Sequence, residues 1–255
     1  MTLKEIIEEV NDLSYDDFPA EIAGYEINIE QDDPHESPRD WGSPFTMVCT
    51  HNRYNLGDEQ WEPNYRGEYA MSEYFHGMSG LFQDKGYYED FTDDELRSIA
   101  NWVDRNILWL PLYLYDHSGI TMKTTPFRCP WDSGMVGFIW ISREDARKQW
   151  NWKRITKSRE KRVYKWVNGE VETYDQYLRG EVYWFNVEFD GEYIDSCGGI
   201  YDNYSYTYTK QDYIIPAIKH HFQQRQTSRF NQIKTWIKNH VPLQVRQQEL
   251  INLAI

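Results

Sequence analysis

Asp116, His117, Cys129 and Asp132 fall on one short stretch, DHSGITMKTTPFRCPWDSG, over residues 116–134. A thiol beside an imidazole, with a carboxylate to orient the ring, can act as a thiolate nucleophile. The same carboxylates and imidazole, joined by His51 and Asp58, offer a mixed nitrogen and oxygen donor set for a metal. Each chemistry asks for more than residue type. A catalytic thiol wants small neighbours, and Pro130 and Trp131 crowd Cys129. A metal site on one element wants an HExxH-like spacing of i and i+4, and no two of these residues have it. The pattern therefore favours Asp116, Thr121 and Asp132 as turn formers bonded to nearby backbone. Cys129 then reads as a structural thiol, with neither a metal nor another cofactor expected.

Other motifs narrow the field. His220 and His221 are adjacent on a predicted helix, where neighbours point about 100° apart and cannot readily share a metal. The chain contains no GxGxxG before a helix, no GxxxxGK[ST] and no GxSxG, so nucleotide-cofactor and serine-hydrolase chemistry lack support. Lys153, Arg154, Lys157, Arg159, Lys161, Arg162 and Lys165 are interleaved with Trp150, Trp152, Tyr164 and Trp166. Cations among aromatics can grip phosphates and stack bases. The chain's net charge of −14 opposes a polyanion at long range. Direct nucleic-acid binding is disfavoured, and this segment is expected to be a solvated helix face.

That charge is uneven. Residues 1–100 carry 24 acidic and 6 basic side chains, residues 101–200 carry 14 of each, and residues 201–255 carry 3 and 7. The acidic groups cluster at Asp32, Asp33, Asp58, Glu59, Glu89, Asp90, Asp93, Asp94 and Glu95. Trp41, Trp61, Tyr65, Tyr87 and Tyr88 lie among them as apolar anchors. Such a face can meet Lys and Arg side chains that normally hold phosphate. The partner this face implies is a protein with a basic surface.

The elements that must position these groups are partly legible. Thr2 with Glu5, and Thr92 with Glu95, form capping-box patterns ahead of amphipathic helices. Tyr25 to Glu30 alternates as a half-buried strand, and Phe45 to Cys49 reads as another. Leu108 to Tyr115 is nearly all apolar and suits a strand central in a sheet, with a bulge or an unpaired position at Pro111. Strands are also predicted over 120–124 and 136–141. A short helix follows Ser142, and another is predicted near Ser72. A longer helix runs from about Thr156 to Leu178, broken at Asn168-Gly169. Asp190-Gly191 turns a hairpin over 183–197. From about Asp212 the chain reads as helical and basic, with Phe230, Ile233 and Ile237 on one stripe and a last helix starting near Pro242.

The fold class is α+β, a mainly antiparallel sheet with flanking helices and a helical C-terminal tail. The expected division is a main body over 1–205 and a helical appendage over 206–255. The chain's 255 residues and 16% aromatic content support a substantial core. No run approaches the ~20 apolar residues of a membrane helix. The opening MTLKEIIEEV lacks a secretory pattern, and three widely spaced cysteines suggest no disulfide framework. The expected location is the cytoplasm.

Two groups of words carry a resemblance: ESPRD (36–40) with TMVCTHNRYNLGD (46–58), and LPLYLYDHSGITM (110–122) with CPWDSG (129–134). VETYDQYL (171–178) and IDSC (194–197) continue it. Over about residues 25–202 the chain resembles a family of accessory proteins carried by phages, plasmids and other mobile elements. It departs from that pattern at Gly42–Phe45, Asn52 and Gly198, and in the 60–91 insert and the tail after 205. The resemblance supplies no catalytic residues. It implies an accessory role, and the expectation that follows is a non-catalytic inhibitor of a host defence or nucleic-acid-processing protein, in the manner of anti-CRISPR and antirestriction proteins. Its target would be a host protein with a basic surface, such as a nuclease or a CRISPR effector, in the cytoplasm of a bacterial or archaeal host cell. The alternatives are a metal-assisted or hydrolytic enzyme centred on residues 116–132, and a nucleic-acid-binding accessory using the 153–166 segment.

Overall fold

The structure is a computed structural model that describes residues 1–33, 36–62, 68–85 and 91–245, with the backbone alone at 68–70. In chain order its first elements are α1 (Leu3–Asp12), β1 (Ala20–Ile22), β2 (Tyr25–Gln31), β3 (Thr46–Cys49) and β4 (Glu59–Gln60). There follow α2 (Glu68–Ser79), α3 (Asp93–Asn106), β5 (Ile107–Asp116), β6 (Ile120–Lys123), β7 (Ser133–Ser142), α4 (Arg143–Gln149) and α5 (Lys157–Arg179). The chain closes with β8 (Val182–Phe189), β9 (Glu192–Tyr201), the single turn α6 (Thr207–Thr209), a π-helical turn (Lys210–Ile214) and α7 (Ile215–His240). The fold is α+β, with two mainly antiparallel sheets among the described residues where the sequence suggested one.

Contacts gather the chain into two compact units, Met1–Asp33 with Glu181–Ile255, and Pro34–Gly180. The expected boundary at 205/206 is therefore displaced. The chain's first elements pair with its last, and the C-terminal segment begins inside a core.

The first unit holds a sheet in the order β1-β2-β8-β9, antiparallel throughout. Alternation places Tyr25, Ile27 and Ile29 of β2 on the buried face, as it does Tyr183, Phe185 and Val187 of β8. The register sets Ile27 opposite Val187 and Ile29 opposite Phe185. Ile6 and Val10 of α1 close this core together with Ile214, Ile215 and Ile218. The Thr2–Glu5 capping box forms. The β8–β9 turn uses positive φ at both Asp190 and Gly191, which suits the twist of a two-residue hairpin. Helical structure starts at Thr207, earlier than Asp212. Asp202 explains the start, because its carboxylate accepts from Thr209 N (2.7 Å) and Thr209 Oγ1 (2.9 Å). Lys210 is buried and donates to the carbonyls of Asn11 (3.1 Å) and Leu13 (2.6 Å) at the end of α1. Those are among the carbonyls that a helix leaves unpaired.

The second unit holds the order β4-β3-β7-β5-β6, with only β3 and β4 parallel. β5 lies between β7 and β6, and its register slips between Leu112 and Tyr113, beside Pro111. One face packs Met47, Leu108, Leu112 and Ile139 against Val163, Val167, Val171 and Tyr174 of α5. The other packs Val48, Ile107 and Phe138 against Met71 and Phe75 of α2 and Ile99 and Val103 of α3. Burying each of these side chains is worth roughly 1.5–3 kcal/mol. The α5 stripe explains why that helix runs unbroken through Asn168-Gly169: anchors on both sides of the pair hold one axis. Asn168 Nδ2 also bonds the Tyr164 carbonyl at 2.7 Å.

Gly137 permits the closest approach in this sheet. A Cβ there would lie 1.9 Å from the Val48 carbonyl oxygen and 2.9 Å from Cys49 Cα.

Candidate functional site

The ends of β5 and β7 bring the 116–132 residues together. Asp116 N donates to the Asp132 carbonyl at 2.8 Å. The carboxylate of Asp116 forms an ion pair with Arg53 and accepts from Tyr54 Oη at 3.5 Å. His51 stacks on Tyr54, with ring centroids 4.9 Å apart. Its Nδ1 accepts from Arg53 N and Tyr54 N, each at 3.2 Å. His51 therefore caps a turn, as expected of a structural histidine.

The other side chains find side-chain partners where backbone partners were expected. Thr121 Oγ1 donates to Asp175 at 2.6 Å. Asp132 Oδ2 lies 3.7 Å from His117 Nδ1 and 3.6 Å from Cys129 Sγ. The order is thus imidazole, carboxylate, thiol. An activated thiol requires the imidazole against the sulfur, and here a carboxylate occupies that place. Among the described residues, no group of three or more His, Cys, Asp or Glu side chains is arranged to hold a metal ion. His117 stands 64% exposed beside Asp132.

The acidic residues divide into two sets. Asp58 is internal in function. It receives Nε and Nη2 of Arg39 at 2.9 and 2.7 Å and the amide of Met47 at 2.6 Å. Glu59 accepts from Tyr74 Oη at 2.7 Å. Trp61 packs edge-on to Tyr74 and Phe138, so it belongs to the core margin. Asp32 accepts from Gly199 N at 2.7 Å. Glu95 closes the capping box on Thr92 and pairs with Lys85 at 2.6 Å. The Lys85 bond, then Thr92, holds the Glu95 carboxyl down at about 2. Asp33, Asp93 and Asp94 are exposed, Asp94 95% so, although it lies 3.8 Å from the exposed Arg97 on the next turn. Tyr65, Tyr87, Tyr88, Glu89 and Asp90 lie outside the described residues.

Arg39 is a centre that sequence reasoning missed. Its side chain is only 6% exposed and lies between Asp58 and Glu170, with Nη1 2.8 Å from Glu170 and Nη2 2.8 Å from the Phe45 carbonyl. Ser43 Oγ donates to the same Glu170 oxygen at 2.5 Å. A hollow of about 700 Å³ opens beside this cluster, walled by Phe45, Trp150 and Trp166.

The tryptophans of the basic segment pack on one another and on two of its arginines. Trp150 stacks on Trp166 with centroids 4.7 Å apart. Arg159 lies 5.0 Å from the Trp152 ring, and Arg162 lies 5.2 Å from that of Trp166. Rings packed against one another and against guanidinium groups offer few faces to a base.

The C-terminal helix differs from all of these. α7 leaves the core after Phe222, and every residue from Gln223 to His240 is exposed. Phe230 is 65% exposed, Ile233 50%, Trp236 59% and Ile237 38%. The Phe230, Ile233 and Ile237 stripe was legible as a helical periodicity, but its lack of cover was not.

No helix among the described residues is long and apolar enough to cross a membrane. Comparison with protein-family profiles, curated proteins and solved structures finds no match.

Proposed function

We propose that this protein acts by binding another protein, as a mobile-element inhibitor directed at a host defence or nucleic-acid-processing protein. The observation that supports this reading is the exposed 223–240 segment of α7. Four large apolar side chains stand there without cover, and surfaces of that kind mark interaction sites. The 116–132 cluster supports the alternative less, because Asp132 separates its thiol from its imidazole. Asp33, Asp93 and Asp94 remain available to a basic surface on the partner, where they would speed encounter more than they add affinity.

The test is affinity capture from a bacterial host with the tagged full-length chain and two variants, Phe230→Asp and the pair Asp93→Lys, Asp94→Lys. The expected result is a host protein held by the parent chain and lost with Phe230→Asp. The Asp93, Asp94 pair should slow association and make it less sensitive to salt. Capture that is indifferent to both variants refutes the reading.

A further inference from the structure

We propose that the 223–240 segment of α7 docks into an apolar groove on the partner whose rims carry carboxylates. This rests on the reading of the chain as a binding protein, and it names the chemistry of the surface that would receive the helix.

The first argument is spacing. Phe230, Ile233 and Ile237 stand at i, i+3 and i+7, the spacing by which an amphipathic helix seats its anchors in a groove. At about 100° per residue they share one side of the helix, with Trp236 at its edge.

The second argument is charge. Between Tyr213 and Val245 the chain has no Asp or Glu and five Lys or Arg, at 219, 225, 229, 234 and 238. The same rotation places Lys234 and Lys238 along one border of the apolar stripe and Arg229 along the other, while Arg225, further round, lies 3.9 Å over the Phe189 ring of the same unit. A groove that accepts this face therefore needs carboxylates on both rims. A second copy of the helix would set cations against cations at either border, which penalises self-pairing.

The third argument separates a protein groove from an anionic membrane. A basic amphipathic helix suits either. Here the apolar run covers only about two turns, and Gln226 and Gln223 continue the same face toward the N-terminus. Binding at a lipid interface scales with the apolar area buried. A glutamine in that stripe is unsatisfied among acyl chains but can hydrogen-bond to polar groups in a protein groove.

The experiment uses a probe of known groove chemistry, calcium-loaded calmodulin, which opens an apolar groove on binding calcium, with the calcium-free form as control. The full-length chain is titrated against each form, against vesicles of mixed phosphatidylserine and phosphatidylcholine, and against itself by sedimentation equilibrium. The expected result is calcium-dependent binding with Kd below about 10 μM. Phe230→Asp or Ile233→Asp should weaken it at least about tenfold. Lys234→Glu with Lys238→Glu should weaken it about fivefold and flatten its salt dependence. Asn239→Asp, on the opposite side of the helix, should stay within about twofold of the parent. Circular dichroism checks that each variant keeps its helix content. Vesicle binding without calmodulin binding overturns the proposal in favour of a membrane, and a dimer lost in Phe230→Asp overturns it in favour of a second copy. Binding to none of the probes also overturns it. If a host protein is still lost with Phe230→Asp in that case, the binding-protein reading survives and only the groove chemistry is refuted.

Discussion

Replacing Arg39 with methionine tests whether Asp58 is part of the fold or part of a binding face. The guanidinium makes four hydrogen bonds, three of them to the carboxylates of Asp58 and Glu170. Charge-assisted bonds contribute roughly 1.5–3 kcal/mol each in favourable settings. The gross loss is reduced because the Asp58 and Glu170 side chains are 25% and 29% exposed, so water reaches both after the change. Methionine also returns some apolar contact in the space of a side chain that is 94% buried. Removing one partner of a fully buried pair costs about 3–5 kcal/mol, and this centre belongs near the lower end, about 3 kcal/mol. Thermal melting followed by near-ultraviolet dichroism should show a fall of roughly 6–12 °C, at about 2–4 °C per kcal/mol for a chain of this size. Adding Asp58→Asn and Glu170→Gln to Arg39→Met should recover about 1–2 kcal/mol, because the triple variant leaves no unpaired charge. A loss under about 1 kcal/mol for Arg39→Met would refute the reasoning and return Asp58 to the set of free surface carboxylates.

Three further outcomes follow from the same geometry. Gly137→Ala should cost about 3 kcal/mol or more in urea melts, because its Cβ falls 1.9 Å from the Val48 carbonyl and β3 and β7 must separate to admit it. Burial pushes the Cys49 thiol up to about 12, so alkylation of the native protein at pH 8, read by mass spectrometry, should label the exposed Cys197 and spare Cys49 until the chain is denatured. Glu95 is held at about 2 when folded, below its unfolded value of about 4.3, so its contribution is present above that value and is lost as pH falls through about 2; Glu95→Gln should lower stability at pH 7 and flatten the decline between about pH 4.3 and 2 in urea melts.

Much of the local structure was legible because local chemistry decides it. Thr2 and Thr92 each form the capping box that their Glu at the third helical position implies. Asp190-Gly191 turns its hairpin because both positions tolerate positive φ. Pro111 lies beside the slip in β5 that its missing amide anticipates. What the alternation could not supply was partner choice. Tyr25 to Gln31 reads as a half-buried strand whatever it pairs with, and it pairs with Tyr183 to Phe189. That distant pairing produces two units from a chain that reads as one body with a tail. Asn168-Gly169 looked like a break because propensity is local, whereas α5 is held through that pair by the packing of its Val163, Val167 and Val171 against sheet residues such as Met47, Leu108 and Ile139.

The acidic clusters show the same limit from the side of function. A count of carboxylates along a chain measures charge, and availability depends on who already holds each one. Asp58 is held by Arg39, Glu95 by Lys85 and Thr92, and Asp32 by the amide of Gly199. The Lys85, Arg39 and Gly199 contacts cross 10, 19 and 167 residues of sequence, beyond any window in which spacing carries information, whereas the Thr92 contact is the local capping box. The helix beyond Phe222 presents the converse case. Its residues form an ordinary amphipathic stripe, and in a core-packed helix Phe230 and Ile233 would be interior. Most of a helix's stability in a protein comes from packing its apolar face, which this part of α7 does not do. Thr227, Ser228, Asn231, Thr235 and Asn239 add little intrinsic propensity to it. Covering that face would therefore both stabilise the helix and form the contact, and the cations on its borders favour cover by a surface rich in carboxylate.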